Sequence, residues 1–210
     1  RDASDHSTGG TFCAIVKVHF LQRIFAVDYL ERLPAPSSAM VNLGLTSPSE
    51  GFMLGILPDP RSTYTGDCQN PNNPLFQRLS ETRRVGPFRA TGIKPALDSL
   101  TGVMAAVKAE LPDLHDKLGS NGMLCCRFRR VRGHIVRKRS NHSFGTAIDL
   151  KIDGKTDEQG DGFAFRGLLI LAKYFNAAGW FWGATFPTED AMHFECSKEL
   201  LSRWKSAGLI

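Results

Sequence analysis

The strand signal that most constrains the fold lies at residues 147–152, Ala-Ile-Asp-Leu-Lys-Ile. Apolar and polar side chains alternate there, which is the pattern of a half-buried β-strand. One face carries the apolar set Ile148, Leu150 and Ile152. Asp149 therefore points away from the core, toward a cleft or toward solvent.

A second strand signal lies at residues 191–195. The alternation in Met-His-Phe-Glu places His193 and Glu195 on the face opposite Met192 and Phe194. We therefore expect two core strands whose polar faces can contribute to one site.

His142, Asp149 and His193 are of the types that bind zinc. A straight strand would hold His142 roughly 20 Å from Asp149, but Gly145 permits a turn that returns the histidine to the carboxylate. Two imidazoles and one carboxylate leave the fourth tetrahedral position open for water, as in catalytic rather than structural zinc sites. The set predicts a metallohydrolase. The alternative is that these side chains co-occur by accident in a chain with six histidines.

The residues around these side chains carry a family resemblance. Residues 140–149, Ser-Asn-His-Ser-Phe-Gly-Thr-Ala-Ile-Asp, resemble the S-x-H-x-x-G-x-A-x-D signature of the zinc peptidases of bacterial cell walls. That family includes D-alanyl-D-alanine carboxypeptidases, dipeptidases and L-alanyl-D-glutamate endopeptidases. Residues 190–195, Asp-Ala-Met-His-Phe-Glu, are similar to the second family motif. The resemblance extends over residues 85–204 and implies a fold like that of the Hedgehog domain and the D-Ala-D-Ala peptidases.

The resemblance implies roles for the metal-side residues. His142, Asp149 and His193 would bind Zn²⁺, and Asp190 would be the general base, although many members have Glu at that place. Glu189, one residue earlier, is the alternative base. Glu195 would support a ligand from outside the first coordination shell.

The resemblance also implies substrate-binding residues. An arginine upstream of the first ligand contacts the substrate in this family, and Arg127 is the first candidate, with Arg129 the second. Ser140 resembles the substrate-binding serine of the family. Its alternative role is that of an ordinary turn hydroxyl.

The implied activity is hydrolysis of the peptide stems of peptidoglycan. The aspartate at position 190 favours an L-alanyl-D-glutamate endopeptidase, because the branch of the family that includes the phage endolysins commonly has Asp at this place. The alternatives are a D-Ala-D-Ala carboxypeptidase of the same family, a non-catalytic zinc module such as the Hedgehog domain, and a protein that only binds the wall. We expect action at the wall, in the periplasm or outside the cell, or after release from the cytoplasm if the chain is a phage lysin.

Helical periodicity and turn residues predict an α+β fold, an antiparallel sheet covered by helices. Helices are expected at residues 95–111, 165–178 and 198–206, and strands at 123–128, 147–152 and 191–195. We divide the chain into an N-terminal extension, 1–84, and a catalytic domain, 85–210. The extension contains a Pro/Ser-rich linker near 34–38 and an irregular loop at 58–75.

The formal net charge of +5 is concentrated in residues 127–139, where seven of thirteen residues are Arg or Lys. Only Phe128 offers an aromatic ring within that run, so we expect no nucleic-acid partner. A solvated hairpin is the plainest interpretation, and attraction to anionic cell walls is the functional one. We expect a monomer. No run of about 18 apolar residues occurs, so no membrane span is expected.

The five cysteines give an odd number of thiols. Cys125 and Cys126 are adjacent, which disfavours a bond between them. We expect buried, reduced cysteines, with a Cys13–Cys68 bridge as the alternative in an oxidising compartment. Cys196 lies close enough to His193 in sequence to be a competing ligand.

Overall fold

The computed structural model describes residues 27–210. Its strands are, in chain order, β1 (Arg32–Pro34), β2 (Ser80–Arg84), β3 (Arg89–Ile93), β4 (Leu118–Gly122), β5 (Phe128–Val131), β6 (His134–Arg139), β7 (Ala147–Ile152), β8 (Phe163–Phe165), β9 (Trp180–Trp182) and β10 (His193–Cys196). Its α-helices are α1 (Glu50–Ile56), α2 (Pro74–Leu79), α3 (Lys94–Glu110), α4 (Pro112–Asp116), α5 (Arg166–Ala177) and α6 (Lys198–Ser206). The named strands of the described chain pair antiparallel. The predicted α+β class is confirmed, and the likeness to the Hedgehog fold stays a prediction.

The central sheet has the strand order β4-β7-β10-β9. In β7 the predicted alternation is present, because Ile148, Leu150 and Ile152 are fully buried while Asp149 is partly exposed on the other face. In β10, Phe194 faces the core and stacks on Phe175 of α5, with ring centroids 4.1 Å apart. The two predicted strands are therefore neighbours, and their polar faces are on the same side.

The predicted helices are confirmed to within a residue or two at each end. Helix α3 has Pro95 in its first turn and ends before Pro112, and it buries the predicted apolar set Leu97, Leu100, Val103, Met104 and Val107. Helix α5 ends before Gly179, whose φ of 86° permits the chain to turn. Within residues 27–210, no helix has the length and apolar character needed to cross a bilayer.

The strand predicted at 123–128 is wrong. The sheet instead uses β4, whose sequence Leu-Gly-Ser-Asn-Gly has little intrinsic preference for a strand. The strand conformation of β4 is stabilised by its pairing with β7, which sets Leu118 opposite Ile152 and Ser120 opposite Leu150. The basic residues that follow form the hairpin β5–β6, which is largely exposed, as the plainer interpretation predicted.

The described part of the N-terminal extension contacts the rest of the molecule at several points. Strand β1 pairs with β8, and Met53, Leu57 and Phe76 are buried in the same hydrophobic cluster as the central sheet. The side chain of Asn42 donates to the carbonyl of Trp182 and accepts from its amide, at 2.9 and 2.8 Å. The division of the chain at residue 85 stays a prediction.

The expectation that all cysteines are reduced is wrong for two of them. Cys68 and Cys125 form a disulfide, while Cys126 and Cys196 are free and buried. The alternative bridge involves Cys13, which lies outside the described residues. The observed bond joins residues 57 positions apart, and backbone hydrogen bonds between Gln69 and Cys126 continue the contact. It fastens the irregular segment before α2 to the segment between β4 and β5.

Candidate metal centre

His142 is delivered to the site by a tight turn. The 3₁₀ turn Asn141–Phe144 is capped by the hydroxyl of Ser140, which accepts from the amide of His142, and it ends at Gly145 in the left-handed conformation with φ 60°. A Cβ atom at Gly145 would lie only 2.9 Å from Cα of Gly92. Glycine is therefore required both for the conformation and for the close approach.

Strand pairing brings the other two side chains together. In the antiparallel register of β7 and β10, His193 lies directly opposite Asp149. The side chains of such a pair project from the same face at short range. The Nε2 atom of His142 lies 3.1 Å from Asp149 Oδ1 and 3.1 Å from Nδ1 of His193, and the latter lies 3.0 Å from the same Oδ1.

Each histidine is held by the ring nitrogen that faces away from this cluster. His142 Nδ1 lies 3.0 Å from the carbonyl oxygen of Met123, and His193 Nε2 lies 3.0 Å from Oε2 of Glu195. Donation of a proton to these acceptors leaves the lone pairs of the facing nitrogens directed at the cluster. Asn141 donates to the same Oε2 at 2.7 Å, which fixes the carboxylate. Such outer hydrogen bonds are typical of metal-binding histidines.

The donor set fits zinc. Zinc bonds of 2.0–2.1 Å in a tetrahedron place neighbouring ligand atoms about 3.3 Å apart, and the three observed separations are 3.0–3.1 Å. In the absence of a cation or a shared proton, three lone-pair-bearing atoms this close would repel one another. Within the described residues, the set of His, Cys, Asp and Glu side chains able to share one ion is His142, Asp149 and His193. Three ligands leave a coordination position for water or substrate.

The short distances among His142, Asp149 and His193 also shift the pKa values of the last two side chains. Burial would raise the pKa of Asp149, but His142 and His193 outweigh this and hold that pKa far below its usual range. Burial would lower the pKa of His193, but its hydrogen bonds to Asp149 and Glu195 outweigh that effect and raise the pKa to about 10. In the metal-free protein these two carboxylates therefore favour the protonated form of His193.

This predicts that zinc binding at pH 7 releases about one proton per ion. Zinc requires a lone pair on His193, which must lose its proton, whereas Asp149 is already ionised. Titration calorimetry of the metal-free protein in buffers of different ionisation enthalpy measures the number released. The share released by His193 should fall as the pH is raised toward its pKa of about 10. Binding at pH 7 with no proton released would contradict a protonated His193 in the metal-free protein.

The two candidate bases occupy different surroundings. Asp190 lines the cavity that contains the cluster, and burial raises the pKa of its carboxyl. Its Oδ2 accepts from Gln159 at 2.8 Å. Both oxygens of Glu189, by contrast, accept backbone amides, from Gly160, Gly162 and Ala191. Glu189 therefore braces the neighbouring loop, whereas Asp190 faces the site.

The cavity has a volume of about 470 Å³ and includes both candidate arginines. Arg127 is half-buried, and its Nη1 donates to the carbonyl of Phe128 at 3.1 Å. Burial lowers the pKa of its guanidinium, opposed by the charges of Asp149 and Asp190. Arg129 lines the same cavity but is exposed to solvent. The buried hydroxyl of Ser140 also lines the cavity while it caps the turn.

Cys196 is not brought to the cluster. Its side chain is fully buried in the hydrophobic core, and burial raises the pKa of its thiol well above the ordinary value. A thiol held neutral in apolar surroundings is a poor ligand.

Sequence reasoning missed several residues of the cavity wall, among them Gln159, Asn141 and Ser47. Asn141 stands inside the first motif, so its position beside His142 was an available signal. Gln159 and Ser47 lie in loops far from both motifs, and their place in the cavity depends on how those loops fold.

Comparison with known families agrees with this geometry. Residues 135–196 match the family model described as D-alanyl-D-alanine carboxypeptidase. The predicted family resemblance is confirmed. The segment matched to the carboxypeptidase family contains both motifs and the whole cluster, and together they support a zinc metallopeptidase. The match begins after Arg127 and Arg129, so it does not choose between them. No curated protein matches the chain.

Proposed function

We propose that this protein is a zinc-dependent peptidase that hydrolyses the peptide stems of bacterial peptidoglycan, with His142, Asp149 and His193 as ligands. The observation that carries the proposal is the convergence of three donor atoms at 3.0–3.1 Å inside a cavity that also contains Asp190. The match to the carboxypeptidase family supports the substrate class. We infer action at the cell wall, either after export or after release from the cytoplasm.

The chemistry follows from the residues around the cluster. Bound zinc supplies a Lewis acid that acidifies water and polarises a carbonyl group. Asp190 accepts a proton from the attacking water and returns it to the nitrogen of the scissile amide. The C–N bond breaks, leaving a carboxylate on one fragment and an amine on the other. The pKa of Asp190, raised by burial, suits a group that must both take and return a proton near neutral pH.

Arg127 is the proposed partner of the negative charge that develops on the carbonyl oxygen. Its half-buried guanidinium is preorganised by the hydrogen bond to Phe128, and a fixed donor of this kind is worth about 2.7–4 kcal/mol in a transition state. Arg129 and Ser140 are proposed to bind substrate groups farther from the scissile bond.

We infer endopeptidase action from the shape of the site, and the L-alanyl-D-glutamate type from the aspartate at position 190. A second hollow of about 210 Å³ shares Arg129 and Asn141 with the main cavity and is also lined by Lys138. A carboxypeptidase requires a pocket closed around a terminal carboxylate, whereas a continuous groove accepts a chain on both sides of the scissile bond. Arg139 of this hollow is paired with Glu50 and Asp59, whereas the charges of Arg129 and Lys138 suit the carboxylates of a peptide stem.

Digestion of purified peptidoglycan tests the proposal. Zinc-loaded protein is expected to release new amines, and a chelator should abolish the release until zinc is restored. Mass spectrometry of the products distinguishes the bonds: an L-alanyl-D-glutamate endopeptidase leaves alanine on the muramic acid and frees peptides that begin with glutamate. A D-Ala-D-Ala carboxypeptidase releases only free D-alanine.

The competing function is a non-catalytic zinc module. It predicts stoichiometric zinc and binding to cell walls with no amine released under any metal condition. That result would overturn the peptidase proposal even if the ligands are those named.

A further inference from the structure

Gln159 lies in the loop between β7 and β8, and its side chain lines the same cavity as Asp190. The loop is fixed by backbone contacts on both sides of this residue. Gly160 donates to the carbonyl of Glu189 at 2.9 Å, and the amide of Phe165 donates to Asp157 at 2.7 Å. Gln159 is therefore presented from an ordered segment.

The amide of Gln159 connects two parts of the site. Its Nε2 donates to Asp190 Oδ2 at 2.8 Å, and its Oε1 accepts from the backbone amide of Arg132 at 3.0 Å. A carboxylate only accepts and a backbone amide only donates, so the reverse orientation of the side chain would lose both bonds. The two partners thus determine which end of Gln159 faces Asp190.

Asp190 is left with one unengaged oxygen. Its Oδ1 is buried and has no hydrogen-bond partner among residues 27–210. Without the bond at Oδ2, rotation of the carboxyl group would exchange the two oxygens.

We propose that Gln159 is a positioning residue that holds the carboxylate of Asp190 in one orientation, with Oδ2 engaged and Oδ1 left without a competing donor. This inference rests on the proposed function, in which Asp190 is the base. Gln159 does not itself touch the reacting atoms.

Two substitutions isolate the role of the donor. Gln159→Glu keeps an acceptor for Arg132 but loses the N–H group, and Gln159→Met loses it without adding charge. Since a hydrogen bond to a charged group is involved, both should lower kcat about 10- to 100-fold, with KM and zinc affinity changed less than about threefold. Thr156→Val is the matched control, because it removes the bond from Asn121 that anchors the start of the same loop. Its kcat should stay within about twofold of the unmodified protein.

A measurement on the metal-free protein tests the contact without catalysis. The side-chain amide resonance of Gln159, identified by its absence in Gln159→Glu, should exchange slowly with solvent and become fast-exchanging in Asp190→Ala. An unchanged rate would overturn the inference, as would a loss of kcat in Thr156→Val equal to that in Gln159→Met. An unmodified protein that hydrolyses no peptidoglycan would instead refute the proposed function, and the exchange measurement would still decide whether Gln159 holds Asp190.

Discussion

His193→Ala is expected to abolish zinc binding and hydrolysis and also to destabilise the metal-free fold. Loss of an outer partner of a ligand typically costs 10–100-fold in metal affinity, so loss of a ligand itself should cost more than about 100-fold. The substitution also removes the charged partner of Glu195, which is 2 % exposed and hydrogen-bonded to His193 at 3.0 Å. Leaving a buried charge without its partner costs about 3–5 kcal/mol. Zinc content by metal analysis and unfolding by denaturant measure the two effects.

A second substitution separates the loss of zinc from the loss of stability. In His193→Ala with Glu195→Gln the stranded charge is removed, so most of the unfolding free energy should return while zinc remains absent. His142→Ala is the matched comparison, because the partner it leaves behind is a neutral carbonyl, that of Met123. It should lose zinc with a smaller loss of stability, about 1–3 kcal/mol. Full zinc occupancy in either single variant would refute the ligand assignment.

The parts of this molecule that were predictable are those in which local sequence and tertiary structure agree. Residues 147–152 alternate strictly and have one apolar face, so their strand and the direction of Asp149 follow from periodicity alone. Helix α3 combines Pro95 in its first turn with a regular apolar stripe. The cluster was predictable because Asp149 and His193 stand in strands and His142 stands at a glycine turn.

The parts that were missed depend on contacts between distant residues. Strand β4 consists of residues that prefer turns, and only its pairing with β7 makes it a strand. A strand was predicted at 123–128, which begins with apolar residues, yet the backbone amide of Cys125 donates to the carbonyl of His142 and its side chain bonds to Cys68. Neither the disulfide nor the contact of Gln159 with Asp190, 31 residues apart, leaves a local pattern.

Asp190→Asn is expected to lower kcat by about 100- to 10,000-fold with zinc content unchanged. A general base typically contributes that factor, and an amide cannot accept the proton of the attacking water. Asp190 is not one of the three residues whose donor atoms form the cluster, so the metal should be retained. Steady-state kinetics on a defined stem peptide, with zinc content measured on the same sample, provides the test.

Glu189→Gln tests which of two carboxylates, Glu189 or Asp190, is the general base, a choice that the sequence left open. Both oxygens of Glu189 accept backbone amides, at 2.8–3.2 Å, so an NH₂ group in place of one oxygen would face an N–H donor. The unfolding free energy should fall by about 1–3 kcal/mol, since buried donors lose their acceptor. The loss of kcat should be much smaller than in Asp190→Asn, because the proposed base, Asp190, is intact. A larger loss of kcat in Glu189→Gln than in Asp190→Asn, with normal stability, would mean that Glu189 is the base.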